Sequence, residues 1–313
     1  MTKAVVAKAF GGPEVLTVID EELPAPGPGE VLVEFRAIGV NPVEYKQYGG
    51  AFGTDESTLP LHLGSEGAGI VVAVGDDATG PSGPISVGDE VVVYRGSGTY
   101  AEQALEPASA VLPRPAALGV QEAAGLLLTG TTAYDTVETV GVSDGDVVLI
   151  HGAAGAVGLL AVQLAKLRGA TVIGTAREVN HDYLRSIGAI PVTYGEGLAD
   201  RVRDAAPGGV DAAIDTVGTD EAVDVSLELV KDKARIVTIA AFGRAAADGF
   251  PVLGGGNPAS AALRDRVRPE LLDLAARGEI TNVVAKTFPL ADAGRAHTEL
   301  KTAHPIGKFI LLP

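Results

Sequence analysis

One run of the chain indicates the fold most directly: Val147-Val148-Leu149-Ile150-His151-Gly152-Ala153-Ala154-Gly155-Ala156-Val157-Gly158. Its apolar start predicts a buried strand, and the apolar residues that continue from Val157 through Leu160 and Leu164 recur at helical spacing. The glycines between strand and helix predict a tight turn, in which backbone N–H groups can approach a pyrophosphate at the positive helix end. The spacing Gly-x-x-Gly-x-x-Gly also fits an ordinary turn of an α/β domain. A nucleoside-triphosphate P-loop is excluded because no Lys-Ser/Thr pair follows the glycines.

Through the middle of the chain, apolar strands alternate with helices. The predicted strands are Val147–Ile150, Thr171–Thr175, Pro191–Tyr194, Val210–Asp215 and Ala234–Ile239. The predicted helices are Ala156–Arg168, Asn180–Ile187, Leu198–Asp204, Glu221–Leu229 and Pro269–Arg277. Near-continuous apolar strands interleaved with helices indicate an α/β domain with a parallel sheet covered on both faces.

The first part of the chain has a different pattern, of short strands separated by turns. Val31–Phe35, Gly69–Val74 and Glu90–Tyr94 are rich in β-branched residues and bounded by Gly, Pro and Asp. Such spacing suggests a β-rich barrel or sandwich. Two more short strands, Val283–Phe288 and Lys308–Leu312, follow the helical region and can rejoin this first domain.

The composition fits a folded protein with an acidic surface. The 313 residues suggest two domains by length, with 46% hydrophobic and 20% charged residues. The formal net charge of −16 disfavours nucleic-acid and membrane partners. The absence of cysteine excludes disulfides, thiolate catalysis and cysteine-ligated zinc. The segment Met1–Lys8 turns polar too soon for a signal-peptide core, so we expect the cytoplasm as the compartment.

The end of the second middle strand bears on the choice of cofactor. NAD-binding domains usually place Asp or Glu there, where it binds the ribose 2′-hydroxyl. Here Thr171–Thr175 is followed by Ala176 and Arg177. A guanidinium without that carboxylate suits the 2′-phosphate of NADPH, because it can donate two parallel hydrogen bonds to phosphate. Glu178 could instead neutralise Arg177 in a surface pair, so NADH stays the alternative to NADPH.

Several motifs carry a wider resemblance. They are Gly39-Val40-Asn41-Pro42-Val43-Glu44, Gly64-Ser65-Glu66-Gly67-Ala68-Gly69, Gly88-Asp89-Glu90-Val91, the glycine turn and Gly307-Lys308-Phe309-Ile310-Leu311. Together they resemble the medium-chain dehydrogenase/reductase superfamily, in its zinc-independent quinone oxidoreductase branch, over essentially the whole chain. The resemblance implies a GroES-like β-barrel domain at 1–122, completed by 279–313, and a Rossmann domain with a doubly wound parallel sheet at 123–278. It also implies an active site in the cleft between them, and a homodimer.

The chain departs from the zinc enzymes of that superfamily. They carry a Gly-His-Glu motif and a catalytic cysteine, whereas the histidine position here is Ser65 and cysteine is absent. Only Arg95–Tyr100 separates the strand ending at Tyr94 from Ala101, which leaves no room for a structural-zinc lobe. The five histidines show no metal-ligand spacing, so we predict no metal site. Without a Lewis acid, reduction of an already electrophilic acceptor is favoured over alcohol oxidation.

The resemblance also implies which residues meet the cofactor. Around the pyrophosphate it places Ala154, Gly155, Ala156 and Val157. Around the adenosine 2′-phosphate it places Gly174, Arg177 and Tyr194, with Val217 beside the ribose. Around the nicotinamide it places Thr132, Ala240, Ala241, Phe242, Leu253, Gly254 and Gly255. Each has a structural alternative: Val217 and Ala241 could be ordinary packing at a strand end, and Tyr194 an ordinary interface tyrosine.

On the substrate side, the resemblance implies that Asn41 lies near the reacting ring, where its amide could bind a carbonyl oxygen. Quinone reductases often have an aromatic residue shortly after it, but Lys46 occupies that position here and Tyr45 precedes it. Either side chain could stabilise the oxyanion as hydride arrives. The alternative is a loop whose polar side chains are only solvated.

The expected function is NADPH-dependent hydride transfer to a quinone or an α,β-unsaturated carbonyl, a small-molecule substrate that solvent can protonate. An enoyl reductase in a biosynthetic pathway is the alternative within this class. A non-catalytic NADPH-binding sensor or scaffold is the alternative outside it. A serine hydrolase is excluded because the chain has no Gly-x-Ser-x-Gly elbow.

Overall fold

The computed structural model describes residues 1–254, 256–302 and 306–313. Up to residue 124 it consists of short strands with two helices. The strands are β1 (Thr2–Ala7), β2 (Leu16–Glu21), β3 (Glu30–Gly39), β4 (Leu61–His62), β5 (Glu66–Val74), β6 (Thr79–Gly80), β7 (Gly83–Pro84), β8 (Glu90–Tyr94), β9 (Gln103–Pro107) and β10 (Val111–Pro113). The helices are α1 (Pro42–Tyr48) and α2 (Val120–Ala124).

Helices and strands then alternate. The helices are α3 (Leu126–Thr139), α4 (Ala156–Leu167), α5 (His181–Ser186), α6 (Leu198–Ala205), α7 (Asp220–Leu229), α8 (Phe242–Asp248) and α9 (Pro258–Ala276). The strands are β11 (Val147–His151), β12 (Thr171–Thr175), β13 (Ala189–Val192), β14 (Ala212–Asp215) and β15 (Ile236–Thr238). The chain continues through β16 (Val284–Pro289), α10 (Ala293–Thr302) and β17 (Lys308–Leu312).

These elements form two compact units. The first unit contains Met1–Leu128, Leu272–Arg277 and Asn282–Pro313. The second unit contains Thr129–Leu271 and Gly278–Thr281. The domain boundaries that the resemblance implies, after residues 122 and 278, stay a prediction.

The main sheet of the first unit combines strands from distant parts of the chain. Its order is β10-β8-β5-β3-β17-β16, and β9 also pairs with β3. Strand β17 is antiparallel to β3 and parallel to β16. Alternate residues of β3, among them Val33 and Phe35, are buried in a core that also contains Val71, Phe288 and Phe309. The late strand β17 is therefore an interior strand of the sheet that the early strands begin.

The second unit contains a five-stranded parallel sheet in the order β13-β12-β11-β14-β15. The predicted parallel sheet is confirmed, and its strands fall within two residues of their predicted ends. Because all five strands run the same way, their carboxyl ends lie along one edge, here called the carboxyl edge. The strand order reverses beside β11, and open α/β sheets bind ligands at such a reversal.

One predicted helix begins much earlier than expected. The sequence pattern predicts Pro269–Arg277 with the proline in the first turn, whereas α9 begins at Pro258 and contains Pro269 in its interior. Proline lacks the N–H that would reach the carbonyl of Asp265. The Arg268 side chain donates Nε–H to that carbonyl at 3.0 Å, and so replaces the missing donor. Across the described ranges, none of the helices has the length and apolar character needed to cross a bilayer.

Candidate active site

The glycine turn lies at the centre of the carboxyl edge. Gly152 adopts a left-handed backbone with φ +74°, and its N–H donates to the Thr175 hydroxyl at 3.1 Å. Helix α4 starts after Gly155, which has no side chain with which to cap it. No side chain at position 155 accepts hydrogen bonds from the N–H groups of the first turn. These N–H groups can therefore bind an anion at the positive end of the helix.

Two other glycines allow the turn to pack closely. A Cβ atom on Gly158 would lie 2.2 Å from the Gly152 carbonyl oxygen. A Cβ atom on Gly174 would lie 2.7 Å from the Cβ atom of Ala153. Glycine at both positions brings α4 and β12 against the turn, since any side chain there would overlap the turn.

A buried pair, Asp215 and Thr238, ties together the loops after β14 and β15. Asp215 Oδ1 accepts from the N–H groups of Val217 and Gly218, both at 2.9 Å. The Thr238 hydroxyl donates to Asp215 Oδ2 at 2.6 Å and accepts from the N–H groups of Ala240–Ala241 at 3.1 and 2.9 Å. The pair therefore fixes the backbone of two segments that were predicted to meet the cofactor.

Other predicted cofactor residues lie along the same edge. Val217 and Phe242 are about half exposed there, at 50% and 49%. The Leu253 N–H donates to the Thr238 carbonyl at 2.9 Å, and Gly254 packs against the Phe242 ring. Gly255 lies outside the described residues. The structure thus brings together most of the predicted nicotinamide-side set.

The two predicted 2′-phosphate side chains follow neighbouring strands. Arg177 comes two residues after β12, and Tyr194 two residues after β13. The two strand ends are joined by a 3.0 Å hydrogen bond from the Ala176 N–H to the Val192 carbonyl. Both side chains are exposed. They follow β12 and β13, the two strands on the same side of β11, the strand that leads into the glycine turn.

Thr132, also predicted to meet the nicotinamide, lies on α3 beside a buried ion pair. Its hydroxyl accepts from Arg264 Nη1 at 3.3 Å, while Arg264 Nε donates to Asp135 at 2.7 Å. The Ser260 hydroxyl also donates to Asp135. The contacts of Thr132 that are described connect α3 to α9, and its contact with a cofactor stays a prediction.

In the first unit, Asn41 is the residue that precedes α1, and it is fully buried. Its backbone N–H donates to Glu44 at 2.8 Å and its side-chain Nδ2 donates to Glu66 at 3.0 Å. The Lys308 ammonium donates to its side-chain oxygen. Both ends of the amide are therefore held inside the protein, and binding of a substrate carbonyl by Asn41 stays a prediction.

Around Asn41, the buried side chains of Glu44, Glu66 and Lys308 form a charged cluster. Lys308 Nζ lies 2.8 Å from Glu66 Oε1, and the Ser65 hydroxyl donates to Glu44 Oε1 at 3.1 Å. Burial raises the pKa of Glu44 to about 7, against the opposing effect of Lys308. At neutral pH the cluster therefore holds one ion pair beside a carboxyl group that is partly protonated.

Tyr45 and Lys46 have different environments on α1. Lys46 is exposed, whereas Tyr45 is half-buried, with the Lys301 ammonium 4.6 Å from its ring centroid. Tyr45 also meets the ring of His297 edge-on, with the centroids 6.2 Å apart. Burial raises the pKa of Tyr45, so its hydroxyl keeps its proton and can act as a hydrogen-bond donor.

His297 is a fully buried residue of α10 that connects this helix to α1. Its Nδ1 lies 2.9 Å from the Tyr48 hydroxyl and its Nε2 lies 2.9 Å from the Tyr100 hydroxyl. Burial lowers the pKa of His297 to about 4, so the ring is neutral, with one nitrogen donating and the other accepting.

The units match known proteins in the same order along the chain. Residues 27–116 match the model of the alcohol dehydrogenase GroES-like domain, and residues 156–255 match that of the zinc-binding dehydrogenase family. The quinone oxidoreductase of Pseudomonas aeruginosa is 34% identical, over 100% of both chains. The chain belongs to the quinone oxidoreductase branch of the medium-chain dehydrogenase/reductases. The resemblance inferred from the motifs is confirmed.

Other relatives of this oxidoreductase are similar over their full length. The 2-haloacrylate reductase of a Burkholderia species is 32% identical, over 100% of this chain and 99% of that protein. The structure of Escherichia coli quinone oxidoreductase complexed with NADPH has a TM-score of 0.87 and 29% identity, covering 99% of this chain and 100% of that one. The oxidoreductase thus has an α/β fold with a GroES-like domain and a Rossmann-like domain built on a parallel sheet.

Sequence reasoning assigned no role to several buried polar residues of this oxidoreductase. Glu44, Glu66 and Lys308 each come from one of the motifs that carry the resemblance, and the fold brings those motifs together. For Glu66 and Lys308 the signal was a charged residue at the start of an otherwise apolar strand. Within the described ranges, no group of three or more His, Asp or Glu side chains is arranged to hold a metal ion.

Proposed function

We propose that this oxidoreductase transfers hydride from NADPH to a quinone or an α,β-unsaturated carbonyl without a zinc ion. One observation carries the proposal: along the carboxyl edge, the glycine turn at the start of α4 is followed by Arg177 and Tyr194 after the next two strands. The NADPH bound to the Escherichia coli relative supports the same cofactor. The domain boundaries, the barrel form of the first unit, the homodimer and the cytoplasmic compartment belong to this proposal as well.

The residues of the carboxyl edge fit a phosphorylated dinucleotide. The N–H groups of 154–157 would hold the pyrophosphate, because Gly158 and Gly174 let the backbone approach closely. Arg177 and Tyr194 would hold the 2′-phosphate by charge and hydrogen bonding. The segments fixed by Asp215 and Thr238 would orient the nicotinamide half. The bound cofactor supplies the hydride, and these residues bind and orient it.

The buried cluster of the first unit supports a reaction without zinc. Glu66 is the carboxylate of the motif in which zinc enzymes carry their metal-binding histidine, and its charge is already balanced by Lys308 at 2.8 Å. A divalent cation at this position would meet the ammonium of Lys308 at close range and be repelled by it. The donor set therefore does not fit a metal ion.

The acceptor is inferred from the relatives and from Tyr45. The relatives named as a quinone oxidoreductase and a 2-haloacrylate reductase support electrophilic, conjugated acceptors. A neutral Tyr45 hydroxyl would donate a hydrogen bond to the oxygen on which negative charge develops. An enoyl reductase is the alternative acceptor class, and a nucleotide-binding sensor is the alternative without turnover.

The test measures loss of reduced-nicotinamide absorbance with NADPH and with NADH, each against a simple quinone and a simple enal. We expect NADPH oxidation by the quinone. Arg177→Ala should raise KM for NADPH by about tenfold or more and leave KM for NADH nearly unchanged. Equal effects on both cofactors would contradict the assignment of Arg177. NADPH binding without turnover on any acceptor would favour the sensor.

Glu178→Gln serves as the matched control for Arg177→Ala. If Glu178 neutralises Arg177 in a surface pair, removing its charge should tighten NADPH binding. If Arg177 is already available to phosphate, the Gln variant should behave like the wild type.

A further inference from the structure

The loop that carries Tyr194 is hydrogen-bonded to one side chain, that of Arg201. Arg201, on the first turns of α6, donates from all three guanidinium nitrogens to carbonyl oxygens of this loop, residues 193–196. Nε donates to Thr193 at 2.9 Å, Nη2 to Gly195 at 2.8 Å and Nη1 to Glu196 at 2.8 Å. These carbonyls flank Tyr194 on both sides, so a single planar group fixes the path of the 193–196 loop.

A second contact fixes the same loop from α7. The Gly195 N–H donates to Glu221 Oε2 at 3.0 Å. Between these anchors Tyr194 is 52% exposed at the carboxyl edge, next to the strand end that leads to Arg177. A large aromatic side chain that points outward from a loop bound on both sides is oriented at little entropic cost when it meets a ligand.

We propose that Arg201 is a positioning residue for cofactor specificity: it fixes the 193–196 loop so that the Tyr194 hydroxyl meets the 2′-phosphate of NADPH. The proposal rests on the proposed function. The guanidinium nitrogens are committed to backbone carbonyls, so Arg201 acts through Tyr194 and not by binding phosphate itself. Lysine could not replace it, because one rotating ammonium cannot match three carbonyls spread over four residues.

The test compares binding of adenosine 2′,5′-bisphosphate and adenosine 5′-monophosphate by calorimetry, which requires no turnover. The wild type should prefer the bisphosphate by about tenfold or more. Arg201→Gln and Arg201→Lys should both lose most of that preference while keeping their affinity for the monophosphate. The matched control is Arg203→Gln on the same helix, because Arg203 pairs with Asp200 and Glu228 and makes no described contact with the 193–196 loop. Its preference should equal that of the wild type.

A double-mutant cycle separates positioning from a general loss of structure. Tyr194→Phe should reduce the preference, and adding Arg201→Gln should reduce it no further, because both changes remove the same contact. Additive losses would overturn the proposal. An Arg201→Lys variant that behaves like the wild type would also overturn it, because charge alone would then suffice.

The same measurements test the positioning role of Arg201 separately from the proposed NADPH specificity. A wild type without preference for the bisphosphate would refute NADPH specificity and the role of Arg201 together. A wild-type preference that survives in Arg201→Gln would refute only the role of Arg201. With NADPH and NADH as substrates, the Arg201 variants should change KM for NADPH and leave kcat unchanged.

Discussion

Glu106 is a fully buried residue of β9 whose carboxyl group is only partly hydrogen-bonded. Its Oε2 accepts from the Ser97 N–H at 3.0 Å, whereas its Oε1 has no hydrogen-bond partner in the part of the chain that the structure describes. Burial raises the pKa of Glu106 from 4.5 to about 7. The folded state therefore binds a proton that the unfolded state releases between these values, and stability falls as the pH rises from 4.5 through 7.

We predict that Glu106→Gln removes this pH dependence. Glutamine resembles the protonated carboxyl group in shape and cannot ionise. The free energy of unfolding of the Glu106→Gln variant, minus that of the wild type, should therefore increase with pH. The increase should be on the order of 2 kcal/mol between about pH 5 and about pH 8. Urea denaturation of both proteins across this range measures the difference, in which the other titrating groups cancel. A difference that stays constant with pH would show that Glu106 is ionised in the folded protein.

At the scale of single residues, the sequence allows predictions only where the relevant neighbours are close in the chain. Arg177 lies two residues after a strand end, and the prediction for it came from the absence of the Asp or Glu that NAD-binding domains usually place there. The partners of the Asn41 side chain were out of reach, because Glu66 lies 25 and Lys308 267 positions away in the chain. His297 was missed for the same reason, since Tyr48 and Tyr100 meet it only after α10 packs in the first unit.

Among the elements, the start of α4 depends on Gly158 having no side chain. The Gly158→Ala variant would place a methyl group 2.2 Å from a backbone oxygen, so α4 must move away from the turn. We expect a loss of stability on the order of 3 kcal/mol, together with weaker NADPH binding. Denaturant unfolding and calorimetric titration measure the two effects.

Gly155→Ala is the matched control in the same turn. Gly155 has an ordinary φ of −73°, and the nearest atom to an added Cβ is 3.4 Å away. Because alanine is a poorer N-cap residue than glycine, the loss of stability should be about 1 kcal/mol or less. Equal losses in the two variants would mean that the turn tolerates no side chain for reasons other than the close approach of α4.

Elements were predictable where one strong local pattern defined them. The buried strands of the second unit have apolar runs that end at Gly or polar residues, and β12 was placed without error. Helix α9 was not, because Pro269 is a local stop signal that the Arg268 side chain overrides by bonding to a carbonyl one turn earlier. No sequence pattern predicts that the Arg268 side chain will replace the missing proline N–H.

For the molecule as a whole, we predict that the net charge of −16 lowers stability at low salt. Repulsion among the acidic side chains opposes the compact state, and salt screens it. Raising NaCl from about 20 mM to about 200 mM at pH 7.5 should raise Tm by about 1–2 °C per kcal/mol of relieved repulsion. Scanning calorimetry measures the shift.

The control is the same salt series near the sequence pI of about 4.7, where the net charge approaches zero and the shift should vanish. A fall of Tm with salt at pH 7.5 would mean that the surface ion pairs, among them those of Arg244 with three aspartates, outweigh the net repulsion.

The interior position of β17 also constrains the order in which the protein can mature during its synthesis. Ribosomes release the chain from its amino end, so residues 1–128 emerge long before β17. Until then only residues 30–34 of β3 are paired on that side, with β9, while Ile38 and Gly39 lack the partner that β17 supplies. Glu66 likewise has no ammonium beside it. All residues of the second unit lie within 129–281, so this unit can fold before the strand β17 of the first unit has been synthesised. We therefore expect the nascent chain to expose an incomplete sheet edge for the time it takes to translate about half of its length.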